Sequence, residues 1–128
     1  EVTRIIAAFD VGRAINRNSC EGQLEGGAIY NQGWVTEDMG WQNGYTKGNK
    51  LSTYLIPTSV DAPHVDLVML ESGGGLGPHG AKGVGEPADN SIKPAILNAL
   101  KDATGHRFLS TPVKPEHVLE AILANKNK

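Results

Sequence analysis

The chain has 128 residues, 16 of them glycine, with 5% aromatic residues and a formal net charge of −2. That length suits one domain burying roughly two thirds of its unfolded surface. The charge balance excludes a basic nucleic-acid footprint or a cationic membrane-binding face. The single cysteine, Cys20, excludes an internal disulfide framework and fits a reducing, cytoplasmic compartment. No apolar run approaches the ~20 residues of a bilayer span, and no signal peptide opens the chain. The first residue is not Met and a strand-like run, Val2 to Val11, follows almost at once. The expectation is one piece of a longer or divided polypeptide, with little core beyond what a partner supplies.

Ile5 to Val11 is a short apolar run ended by Gly12, the pattern of a buried strand. Asp10 to Asn16 leaves it as a loop rich in hydrogen-bonding side chains, which Arg13 is expected to tie down. Ser19 is the expected N-cap of a helix over roughly 20–37. Leu24, Ala28 and Val35 share its core-facing side. Gly22, Gly26 and Gly33 form a second stripe, and Gln23, Gly27, Tyr30 and Trp34 the stripe beside it. Each interior glycine costs about 1 kcal/mol relative to Ala, so the glycine stripe implies close approach by a backbone or a ligand. Residues 39–53 read as a hairpin or extended loop, and 53–58 as an extended stretch interrupted by Pro57. Val65 to Glu71 reads as a second strand, followed by a loop over 72–88. Ser91 is the expected cap of a helix over 92–104 that stops at Gly105, with Pro94 in its first turn. Pro115 starts a last helix with Val118, Leu119, Ile122 and Leu123 on one side. This order does not form a regular βαβ series, so the fold class is α+β, a small mixed sheet with about three helices.

The loop Gly80-Ala81-Lys82-Gly83-Val84-Gly85-Glu86-Pro87 concentrates the chemistry. Its glycines allow backbone approaches that other residues forbid. Pro87 biases Glu86 away from helical dihedrals and so aims its carboxylate. Flexible backbone beside one aimed acid suits a site where a cofactor is cradled and a proton moved. A structural loop whose Glu merely begins the next helix is an equal reading of the octapeptide alone. Lys82 can pair with an anionic cofactor group or cover the loop with its stem. Gln23 can donate and accept hydrogen bonds to a ligand or make an inter-helix contact. His64 and His79 read as surface residues, Cys20 as a small structural residue, and Tyr30 and Trp34 as core or interface residues.

Six segments in order resemble the xanthine dehydrogenase/aldehyde oxidase family of molybdenum hydroxylases. They are Asp10 to Asn16, Glu21 to Gly27, Tyr54 to Thr58, Gly80 to Pro87, Pro94 to Ile96 and Pro115 to Val118. The match is to the C-terminal part of the large molybdopterin-binding subunit. The resemblance implies that Glu86 is the catalytic base for water-derived hydroxylation of a heterocycle or aldehyde. It implies that Gln23, Lys82, Gly83, Val84 and Gly85 contact a molybdenum–molybdopterin cofactor, a group that includes a cytosine dinucleotide form. The pterin dithiolene then holds the metal, so no His or Cys ligand cluster is required. Iron–sulfur (2Fe-2S) and FAD centres are expected on other subunits or domains. The implied partners are the remainder of the molybdenum-binding subunit, an iron–sulfur subunit, a flavin subunit and a small-molecule substrate. The isolated chain is expected to bind no molybdenum.

Three departures stand against the family pattern: Arg17 after Asn16 in place of proline, Ala88 to Ser91 in place of an apolar stretch, and Lys114 in place of an N-cap threonine. The last should weaken its helix start by about 1 kcal/mol. A non-catalytic assembly subunit that completes a partner's fold is the alternative from another class. A phosphate-binding glycine loop is disfavoured, because the Gly-Lys-Ser/Thr ending and the strand–G-x-G-x-x-G–helix context are missing.

Overall fold

A computed structural model describes residues 1–37 and 39–126. Strand β1 (Arg4–Asp10) leads into helix α1 (Arg17–Thr36), then the hairpin β2 (Gly40–Gln42) and β3 (Tyr45–Lys47). Strand β4 (His64–Leu70) follows, then α2 (Ala88–Thr104) and α3 (Pro115–Lys126). The α+β class holds, with the mixed character divided between two separate two-stranded sheets. β2 and β3 are antiparallel, whereas β1 and β4 run parallel from Arg4↔His64 to Asp10↔Leu70. Residues 53–58 are not a strand; there Pro57 packs against α1 so closely that a Cβ on Gly33 would lie 2.7 Å from its ring.

One face of the β1–β4 pair carries Ile5 and Ala7 into the core, where they meet Ala28 and Val35 of α1 and Ala88, Ile92 and Ile96 of α2. Leu24, Ala28 and Val35 are fully buried, as the helical spacing requires. The opposite face leaves Ile6 64% and Leu70 54% exposed. Parallel strands are ordinarily covered on both faces, whereas among the described residues this pair is covered on one. The last helix behaves similarly: Ala121 is buried, while Leu119 and Leu123 stay exposed. No helix among the described residues is long and apolar enough to cross a membrane.

Helix boundaries differ from expectation for local reasons. Asn16, not Ser19, caps α1, its side-chain oxygen accepting from the Ser19 N–H at 3.0 Å. Arg17 opens the helix and pairs with Glu21 at 3.0 Å. α2 begins at Ala88, directly after Pro87, whose φ of −62° is set by its ring and whose ψ of −27° is also helical. Pro94 therefore lies inside the helix instead of in its first turn. At α3, the Lys114 N–H donates to His117 Nδ1 at 3.2 Å. This is half of a capping box, and it offsets part of the missing threonine cap.

Candidate functional site

The helices reveal which end of the molecule collects the loops. Gly27 of α1 abuts Ala88 of α2, Asn31 reaches Asp89, and Trp34 lies under Lys93. Positions rise together along both helices, so α1 and α2 run in the same direction. With β1 and β4 parallel as well, the loops 11–16 and 71–87 meet at the carboxyl ends of the strands. In open sheets of this kind ligands bind at that edge.

Asp10 binds these loops together. Its carboxylate accepts from Lys82 Nζ at 2.6 Å, the Gly12 N–H at 2.9 Å and the Ser72 hydroxyl at 3.0 Å. Backbone bonds add to this: Val11 N–H to Leu70 O at 2.9 Å, Gly73 N–H to Gly12 O at 3.0 Å, and Lys82 N–H to Val11 O at 3.0 Å. Glu71 accepts from the Ala14 N–H at 3.1 Å. The Arg13 side chain, expected to tie this loop, is exposed with no partner among the described residues. Glycines make the crossing possible. Gly80 has φ +79°, and a Cβ there would lie 2.8 Å from the Gly73 carbonyl oxygen.

Lys82 first, then the Gly12 N–H and Ser72, hold the Asp10 carboxyl well below the usual carboxylate range. A depressed acid contributes stability that is fully present above its unfolded value near 3.9 and is lost as pH falls toward the folded one. Asp61, Asp66 and Asp89 are lowered too, by Thr58, Arg4 and Tyr30 respectively. Replacing Asp10 with Asn should reduce stability at pH 7 and make its decline below about pH 4 shallower. Urea midpoints between pH 7 and pH 2.5 check this; an unchanged pH slope would refute the role given to Asp10.

Beyond Lys82 the chain is released. Gly83, Gly85 and Glu86 are exposed and Val84 is half-buried. The places a Cβ would take on Gly83 and Gly85 have nothing within 4 Å. The Glu86 carbonyl accepts from the Asp89 N–H at 3.1 Å, while its carboxylate has no partner among the described residues. Gln23 lies on the α1 stripe that meets α2, one turn before Gly27, and so projects toward the space in front of the α2 N terminus. Its amide likewise has no partner among the described residues. Gly22 and Gly26 are equally open, with nothing within 4 Å of a Cβ on either. The structure thus brings Gln23 and the 83–86 segment to one end. Lys82, at the edge of that segment, is turned to Asp10.

One cluster escaped the sequence reading. Tyr30 Oη and Asn31 Nδ2 both donate to Asp89 Oδ1, the latter at 2.8 Å. In the sequence Asp89 stands only within the departure at Ala88 to Ser91, and nothing local names Tyr30 or Asn31 as its partners.

The fold leaves an open edge at the carboxyl ends of the strands, with Gly22, Gly26, Gly83 and Gly85 facing free space. Residues 1–63 match the family described as molybdopterin cofactor-binding domain. The chain is 31% identical over 122 residues to the xanthine dehydrogenase molybdenum-binding subunit of Escherichia coli O157:H7, covering 93% of this chain and 16% of that protein. It is 36% identical over 117 residues to the aldehyde oxidoreductase of Megalodesulfovibrio gigas, covering 90% of this chain and 13% of that protein. The crystal structure of quinoline 2-oxidoreductase from Pseudomonas putida 86 superposes with a TM-score of 0.85 at 33% identity, over 94% of this chain and 16% of that one. The chain belongs to the xanthine dehydrogenase/aldehyde oxidase family of molybdenum hydroxylases, whose cofactor is molybdenum–molybdopterin. It spans 13–16% of the length of the relatives just described.

Proposed function

We propose that all 128 residues form a C-terminal piece of the molybdopterin-binding domain of a molybdenum hydroxylase catalytic subunit, and that Glu86 is its base. The observation that carries this reading is an exposed, unpartnered acid at the carboxyl edge of the strands, on a segment whose glycines leave space open. The same openness fits a bulky planar cofactor. At Gly83 and Gly85, and at Gly22 and Gly26 on α1, nothing lies within 4 Å of where a Cβ would stand, so a cofactor could approach the bare backbone there. Gln23 would hydrogen-bond the pterin through its amide, and the Gly83–Val84–Gly85 backbone would line it. Lys82 acts through Asp10, fixing the start of that segment.

When bound, the cofactor accepts two electrons and polarises the oxygen that is inserted. This chain's part is proton transfer. A Glu86 Oε would accept the proton of the water-derived hydroxyl as that oxygen adds to an electron-poor carbon of a heterocycle or aldehyde, whose C–H bond breaks with its hydrogen leaving as hydride, the two electrons being those the cofactor would take up. General-base assistance of this kind is worth about 10²–10⁴ in rate. Glu86→Gln in the assembled enzyme is the test.

Further polypeptide is also implied. The accessible surface is 8886 Å², against about 6,600 Å² expected for a monomer of this mass. The bare sheet face and the exposed side of α3 account for part of the excess. We assign these surfaces to the remainder of the molybdenum-binding subunit, with iron–sulfur and flavin subunits or domains completing electron transfer. The same surface favours the alternative of a non-catalytic assembly piece, which predicts full activity in Glu86→Gln.

The glycine stripe gives a separate expectation. Gly26→Ala meets no atom within 4 Å, so it should stabilise the fold by about 0.5–1 kcal/mol. In the assembled enzyme it should lower molybdenum content. A stabilised variant with full metal loading would remove Gly26 from the cofactor surface.

A further inference from the structure

We propose that Tyr30, Asn31 and Asp89 are positioning residues for Glu86, tying the first turn of α2 to α1 so that the acid is presented in one direction. This rests on Glu86 being the base. Asp89 is the pivot. Its N–H donates to the Glu86 carbonyl at 3.1 Å, so the turn containing Glu86 closes on Asp89. Its side-chain Oδ1 takes two bonds from α1, from Tyr30 Oη and Asn31 Nδ2. Asn31 is in turn anchored, its Nδ2 also donating to the Gly27 carbonyl at 2.8 Å. Gly27 is a point of close approach between the helices, since a Cβ there would lie 3.0 Å from the Ala88 Cβ. Farther along, Lys93 Nζ lies 4.0 Å from the centre of the Trp34 ring, and Trp34 meets Tyr30 edge-on at 5.4 Å.

Two further observations favour a positioning role over plain packing. Asn31 is fully buried, yet its Oδ1 has no partner among the described residues. An apolar residue would fill that place without an unpaired amide oxygen. What the polar version adds is direction, because three donors and acceptors must align at once. The network is also close to the acid: the Tyr30 phenol is raised chiefly by Asp89, and Glu86 adds to that rise. Misplacement by about 1 Å costs a reaction roughly a hundredfold, so a loosened first turn should appear in turnover before it appears in binding.

The experiment compares Asp89→Asn, Asp89→Leu and Tyr30→Phe in the assembled enzyme. Asp89→Asn keeps an acceptor for both donors; Asp89→Leu removes it. Asp89→Leu is expected to lower kcat by about tenfold to a hundredfold with KM little changed, at unaltered molybdenum content. Asp89→Asn should restore most of that loss, and Tyr30→Phe should lie between. Hydrogen exchange of the peptide spanning 83–92 should rise in Asp89→Leu and Tyr30→Phe and stay near wild type in Asp89→Asn. Wild-type kcat and exchange in Asp89→Leu would overturn the proposal, and so would equal losses in the Asn and Leu variants. If Asp89→Leu fails to fold, Tyr30→Phe with unchanged kcat and exchange overturns it instead. Glu86→Gln is assayed alongside. Full activity there defeats the assignment of the base, whereas the exchange contrast still decides whether Asp89 orders the segment.

Discussion

Replacing Glu86 with Gln in the assembled enzyme is expected to lower kcat by about 10²–10⁴, with molybdenum content and folding stability unchanged. The substitution is nearly isosteric, so the loop and the extended bias imposed by Pro87 survive. What is lost is a carboxylate able to accept a proton; the amide cannot do so at any working pH. Stability should hold because the carboxylate has no bonding partner among the described residues, so nothing in this fold is left unpaired by its removal. A variant that kept full turnover with full cofactor would sink the catalytic reading and favour the assembly role. A variant that lost its metal would show instead that Glu86 shapes the pocket.

Gly12→Ala is expected to destabilise the fold by about 2–5 kcal/mol. Gly12 has φ +69°, and its missing Cβ would fall on the Gly80 carbonyl oxygen and 3.1 Å from the Lys82 backbone nitrogen. The left-handed conformation alone costs a residue with a Cβ about 1–2 kcal/mol. Overpacking against main chain, which cannot rotate away, adds typically 1–3 kcal/mol. Gly83→Ala and Gly85→Ala are the internal controls: neither has positive φ and neither meets an atom within 4 Å. Denaturant unfolding of the three variants should separate them cleanly. A Gly12→Ala midpoint equal to that of Gly83→Ala would contradict the backbone crossing described above.

Gly12→Ala and its two controls divide the loop glycines into a locked set and a free set, a distinction the sequence does not carry. Gly80, Gly83 and Gly85 look alike in a string of eight residues. Only the fold shows that Gly80 is wedged against Gly73 while the other two face open space. Local periodicity was informative where burial follows from spacing, as for Leu24, Ala28 and Val35 on α1. Residues 39–53, read as a hairpin or extended loop, do contain a hairpin, whose turn residues Asn43 and Gly44 both adopt positive φ. Caps were less legible, because several residues compete for each helix start: Asn16 prevailed over Ser19, and Pro87 over Ser91. The non-local pairings were invisible. Nothing in the apolar run at Ile5 names Val65 as its neighbour, and nothing in Asp10 names Lys82. The candidate site was found through the resemblance of the 80–87 segment, whereas the Tyr30–Asn31–Asp89 support beneath it required the helices to be docked.

The pairing of β1 with β4 bears on how the chain is made. Arg4 has its partner at His64, sixty positions downstream. At ribosomal speeds of roughly 5–20 residues per second, the first strand waits about 3–12 s before its neighbour has been synthesised. During that interval Ile5, Ile6 and Phe9 lack the β4 strand beside them. Slow codons between the two strands should lengthen that interval and lower the yield of assembled protein.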